Sequence, residues 1–150
     1  MTATGRIDVP FKLVSGVKYV DMLQWAQSVA SHLVLVTYPS RPLKHPQLLS
    51  DLSPWATGLR DAAEWPGSQL GLGKLARLAT YRFDAEVAAI ILNYSSGIAD
   101  WGYPFLPDDP HWLRADGTLV IGTTVHEDRL WVEVTTSERA GLPSAFRGST

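Results

Sequence analysis

The sequence predicts an α+β fold, with helices packed on a mainly antiparallel sheet that ends in a C-terminal β-meander. Three observations carry this prediction. Apolar residues recur at three- and four-residue spacing in two separate stretches, the pattern of a helix with one buried face. Residues 33–38 and 75–83 change to β-branched or alternating patterns. From Trp112 onward, three short strand-like runs are divided by turn residues.

Each element follows from local chemistry. A first helix is expected over residues 20–31, with Met22, Trp25, Ala26 and Val29 inward and Gln24, Gln27, Ser28 and Ser31 outward. The continuous run at residues 33–38 reads as a strand covered on both faces, stopped by Pro39. His45-Pro46 opens a short helix carrying Leu48, Leu49 and Leu52, since proline is tolerated at a helix start. Ser53-Pro54 repeats that signal, so residues 55–64 are expected to form a second, irregular helical piece, ended by Trp65-Pro66-Gly67. Residues 75–83 alternate and read as a strand. Asp84 is a natural N-cap for a helix whose face is Val87, Ile90, Ile91 and Tyr94, with Gly97 ending it. Residues 112–114, 118–125 and 129–135 form the meander, turning at Ala115-Asp116-Gly117 and His126-Glu127-Asp128, and Thr136 or Ser137 caps a last helical turn. Residues 1–150 read as a single domain with loose ends at 1–8 and 140–150. No rule fixes how the first strand pairs with the meander.

Composition narrows the function classes. The chain has 150 residues, 45% of them hydrophobic and 19% charged, enough apolar material for a core. A net charge of -2 argues against a nucleic-acid binder, which usually carries a basic stripe. With no cysteine, there is no disulfide, thiol nucleophile, iron–sulfur cluster or cysteine zinc site. The N-terminus lacks the apolar core of a signal peptide, and the longest apolar run is too short to span a bilayer. The expectation is a cytoplasmic protein without membrane contact or cofactor.

Residues 100–112 stand out, with four large aromatics, three prolines and three aspartates in thirteen positions. Such a segment either caps the core or presents a surface. Acids outnumber bases in the second half of the chain, and Trp131 shares its side of a strand with Arg129 and Glu133. Together these point to an acidic, aromatic face built from Trp101, Tyr103, Phe105, Asp108, Asp109, Glu127, Asp128 and Trp131. Three other constellations are weaker. Gly71-Leu72-Gly73-Lys74 lacks the spacing and the following Ser or Thr of a phosphate loop, and reads as a flexible turn. His126-Glu127-Asp128, with Asp108, Asp109 and His111 upstream, supplies metal-ligand types without a ligand spacing. Ser95-Ser96-Gly97 lacks the elbow motif of a serine hydrolase and reads as a helix end.

Glu64-Trp65-Pro66-Gly67, Tyr81-Arg82-Phe83, the run from Pro107 to Gly117, and Val125-His126-Glu127-Asp128 resemble small, uncharacterised proteins of high-GC bacterial genomes. Some of those look like immunity proteins encoded beside secreted toxins. The resemblance covers roughly residues 60–137 and rests on turns and core positions, so it brings no active-site residues with it. With the acidic, aromatic face, the expectation is a non-enzymatic binding protein, an immunity-type inhibitor in the resemblance, whose partner is a protein such as a basic toxin or nuclease. In that expectation the aromatics anchor the contact and the acids steer it. The rival class is a small metal-assisted or acid–base hydrolase centred on His126 and Glu127. A structural or assembly subunit, forming a homo-oligomer, is the third.

Overall fold

The computed structural model describes residues 4–146. Its centre is a seven-stranded, wholly antiparallel sheet made of β1 (Gly5–Pro10), β2 (His32–Thr37), β3 (Ala56–Ala62), β6 (Ala76–Arg82), β7 (Asp108–Leu113), β8 (Leu119–Thr124) and β9 (Arg129–Val134). The spatial order is β1-β9-β8-β7-β2-β6-β3, so the C-terminal meander continues directly into β2 through β7. Between β3 and β6 a two-stranded hairpin, β4 (Glu64–Trp65) and β5 (Ser68–Gln69), turns at Gly67, whose φ of 81° favours glycine. The helices are α1 (Val17–Val29), α2 (Gln47–Leu52), α3 (Ala85–Leu92) and the single turn α4 (Thr136–Arg139). The α+β class and antiparallel sheet are those expected from sequence.

The sheet is covered unequally. On one face the helices bury Tyr19, Met22, Leu23, Leu48, Leu52 and Ile91 against Leu33, Leu35, Trp112, Ile121 and Val132. On the other, the β4–β5 hairpin seats Trp65 in a smaller cluster with Val34, Val36, Ala62, Ala76 and Leu78. The central residues of β2, Leu33 to Val36, are apolar and buried because the strand is covered on both faces, as the uninterrupted sequence run predicts.

Two hydrogen-bonded devices fix the helical side. Asp84 caps α3 by accepting from the Val87 amide at 3.0 Å. A relay then runs from Trp101 Nε1 to the Tyr19 hydroxyl at 3.0 Å, and from there to Ser95 Oγ at 2.7 Å. Ser95 in turn donates to the Ile91 carbonyl at 2.9 Å. Burial pushes the Tyr19 phenol up to about 12, so it stays a neutral link in that relay.

Several expectations are corrected. Residues 55–64 are not helical: a 3-10 turn, Ser53–Trp55, leads into β3. The strand lies at a sheet edge with almost every side chain exposed, so it has no apolar alternation to betray it. The N-terminal stretch is not loose from Gly5 onward, because Ile7 and Val9 alternate inward on β1 and pair with β9. Leu142 and Phe146 are buried, so the C-terminal stretch packs as far as Phe146, and residues 1–3 and 147–150 of the expected loose ends lie outside the described residues. The first helix starts at Val17 rather than at residue 20. Helix α3 ends at Leu92 rather than at Gly97, and Thr135 caps the last turn, one residue before the position expected. Strand β7 begins at Asp108, inside the segment read as a loop.

Trp131 lies flat on β8, and a Cβ at Gly122 would come within 2.3 Å of its ring. Gly122→Ala is expected to destabilise the fold by about 1 to 3 kcal/mol through overpacking. Gly58→Ala, where a Cβ meets open space, should change stability by less than about 1 kcal/mol. Urea denaturation of the two variants checks this contrast.

Candidate functional site

The acidic, aromatic segment folds inward. Trp101, Tyr103, Asp108 and Asp109 are each at most 8% exposed, and Trp131 is 3% exposed. Only Phe105, Glu127 and Asp128 of the eight predicted contact residues face solvent. Even those two acids have partners of their own, Glu127 with Arg129 at 3.7 Å and Asp128 with Lys12 at 3.9 Å. Trp131 is covered by the guanidiniums of Arg6 and Arg129, 4.5 and 5.7 Å from its ring centre. The separate acidic face expected from sequence is therefore not assembled.

What is assembled is a pair of buried carboxylates. The β2–β7 register shifts between Val34 and Val36, and Asp109 in the facing strand adopts φ 48°. Such a bulge re-aims side chains that would otherwise alternate across the sheet, and aspartate tolerates the left-handed region better than most residues. Both aspartates line one cleft as a result. Asp109 accepts from Trp65 Nε1 at 2.8 Å, Ser68 Oγ at 3.1 Å and the Val125 amide at 2.8 Å. It thereby ties the β4–β5 hairpin and the β8–β9 turn to the sheet. Burial raises its pKa above the ordinary carboxylate value, an effect only partly offset by those three donors.

Asp108 is bound differently. Its Oδ1 accepts from the Tyr103 amide at 2.8 Å and His126 Nε2 at 2.9 Å, and its Oδ2 accepts from the Tyr38 hydroxyl at 2.9 Å. Gly102 stands behind this pair, where a Cβ would crowd Val125 and approach Asp108 and His126. Burial, then the charge of Asp108, raises the Tyr38 phenol well above its ordinary value. His126 is exposed at the turn, and its hydrogen-bond partner is Asp108, while Glu127 pairs with Arg129.

His111 is buried beneath the hairpin, and its Nδ1 donates to the Asp109 carbonyl at 2.9 Å. Burial lowers its pKa to about 4, so it is neutral and structural near pH 7. Among the described residues no group of three or more His, Asp or Glu side chains is placed to hold a metal ion. Ser95 belongs to the buried relay above, not to a hydrolase triad.

The cleft holding Asp108, Asp109 and His126 has a volume of about 280 Å³ and is walled by Trp65, Gly67, Ser68, Gln69 and Thr124. Through Tyr38 and Leu70 it continues into a groove of about 450 Å³ lined by Arg41, Lys74 and Leu75. Sequence reasoning missed this second part. Arg41 sits over both Tyr38 and Tyr103, 5.4 and 5.1 Å from their ring centres, and Lys44 lies 5.1 Å from that of Phe105. The wider depression of about 610 Å³ beside Arg114 is already satisfied internally. There Arg114 bonds Glu138 at 2.9 and 2.5 Å and two backbone carbonyls.

No protein-family model, curated protein or solved structure matches this chain. Among the described residues, no helix is long and apolar enough to cross a membrane.

Two outcomes follow from the buried groups. Trp65→Phe removes a charge-assisted bond to Asp109 and should cost about 1.5 to 3 kcal/mol in urea denaturation. The folded state holds His111 below its ordinary pKa of 6.5, so its stabilising contribution is complete above pH 6.5 and is lost as pH falls toward about 4. Asp109, raised in the folded state, acts in the opposite sense, its contribution being lost as pH rises through its own pKa. Thermal unfolding at pH 7 and pH 4.5 should therefore show a smaller acid loss in His111→Leu than in wild type. An unchanged acid loss would contradict the assignment of a buried, neutral His111.

Proposed function

We propose that this chain is a protein-binding domain that takes an acidic segment of its partner along the strip formed by Arg41, Lys44, Lys74 and Phe105. One observation carries the reading. These three cations form no ion pair among the described residues; Lys44 lies over the exposed Phe105 ring, and Arg41 and Lys74 line the groove beside exposed Leu75. Phe105 is 50% exposed, Leu75 56%, and Leu72 is fully exposed. Elsewhere Arg6, Lys12, Arg77, Arg82, Arg114 and Arg129 face carboxylates of the chain itself, while Lys18, Arg60 and Arg139 also form no ion pair among the described residues, so what distinguishes the strip is its exposed aromatic and its groove.

Unpaired cations beside an exposed aromatic supply both steering and a buried anchor. His45 stacks on Phe105 at 6.2 Å, and the Lys44 amide donates to the Pro104 carbonyl at 2.8 Å, so the strip is held by its own framework. Preorganisation of this kind lowers the entropic cost of binding. An immunity-type inhibitor remains a role consistent with this reading, but the charge it would present is positive, and the partner it would block is acidic rather than basic.

The probe is a twelve-residue polyglutamate peptide titrated into labelled protein and followed by amide chemical shifts, with polylysine as the opposite arm. Shifts centred on residues 38–45, 70–75 and 103–106, weakening with salt and lost in Arg41→Glu/Lys74→Glu, are expected. Stronger binding of polylysine would restore the original acidic-face expectation and overturn this one.

A further inference from the structure

We propose that the His126–Asp108 pair is an acid–base site, with His126 as the general base and a small ester bearing an anionic group as its substrate. The charge preference rests on the cationic strip described above; the proton-transfer site stands on its own geometry. Asp108 is 3% exposed and bonds His126 Nε2 at 2.9 Å, while the His126 side chain is 61% exposed. A carboxylate on Nε2 places the proton on that nitrogen and leaves the Nδ1 lone pair free, since no described residue bonds it. The ring lines the 280 Å³ cleft, and that cleft joins the Arg41 and Lys74 groove through Tyr38 and Leu70. One molecule can therefore reach the imidazole with one end and the two cations with the other.

The reaction is ester hydrolysis. His126 Nδ1 takes a proton from a water in the cleft as the water oxygen adds to the ester carbonyl carbon. The tetrahedral adduct collapses, the bond to the alcohol oxygen breaks, and the imidazolium returns the proton to that oxygen. Ester and water become carboxylic acid and alcohol, with His126 restored. Asp108 is a positioning residue: it fixes the ring and stabilises the imidazolium, as buried carboxylates do in Asp–His pairs. The ring is used in the reverse sense to a serine protease, where the carboxylate holds Nδ1 and Nε2 does the proton transfer.

The test uses the full chain with 4-nitrophenyl acetate, which is neutral, and 4-nitrophenyl hydrogen adipate, which carries a carboxylate. Wild type should hydrolyse both faster than free imidazole and prefer the adipate by at least about tenfold. Proton transfer by a positioned side chain contributes about 10²- to 10⁴-fold. His126→Gln, placed at an exposed turn and checked for an intact fold by circular dichroism, should lower both rates at least about a hundredfold. Asp108→Asn, with its fold checked in the same way, should lower kcat at unchanged KM, a split that a merely structural role would not produce. Arg41→Ala/Lys74→Ala should bring the adipate-to-acetate ratio to about one. Rates no higher than free imidazole, or equal rates in wild type and His126→Gln, overturn the acid–base site. A loss in His126→Gln without any adipate preference keeps the dyad and overturns only the anionic substrate.

Discussion

The structure depends on two adjacent aspartates buried where β7 begins. A carboxylate taken out of water is stable only when donors replace its hydration, and each of these collects three. The donors come from the hairpin, the aromatic loop, the end of β2 and the β8–β9 turn. Segments distant in sequence are therefore brought together by the need to satisfy two anions. The bulge at Asp109 makes this possible, because a regular strand would send one of the two side chains to the opposite face of the sheet.

This arrangement explains why the charge seen from outside differs from the charge counted along the chain. The acids of residues 100–112 are consumed internally, and Asp100 itself accepts from the Ser96 and Gly97 amides at 2.7 and 3.2 Å. Acids of the hairpin turn meet Lys12 and Arg129. Arg41 and Lys44, which form no ion pair among the described residues, lie over Tyr38, Tyr103 and Phe105, although the chain as a whole carries -2. Surface electrostatics belongs to the folded arrangement, and local composition is a poor guide to it when carboxylates go inside.

Legibility in the sequence followed the strength of the local signal. Asp84 as a cap, β2 as a strand covered on both faces, and the meander turns at residues 115–117 and 126–128 were all readable, because one residue type or period determines each. Strand β3 was not: its side chains face solvent, and Ser53-Pro54 is an equally good helix start that the chain uses for a single 3-10 turn. Strand β1 left a trace in Arg6-Ile7-Asp8-Val9, whose alternation is visible but short. The inward turn of the aromatic segment had no local signal at all. It depends on Trp101 reaching Tyr19, a contact 82 residues apart, and on Tyr103 receiving the Tyr38 amide at 2.9 Å. The pairing of His126 with Asp108 likewise spans 18 residues and needs the bulge to form.

The most direct test of the organising role of these carboxylates is amide hydrogen exchange in Asp109→Ala beside wild type. If Asp109 holds the hairpin and the turn to the sheet, exchange should accelerate across residues 64–70 and at Val125, while β2 and the helical face keep their protection. Unchanged protection across residues 64–70 would mean that the hairpin is held by apolar packing of Trp65 alone, and would contradict the account.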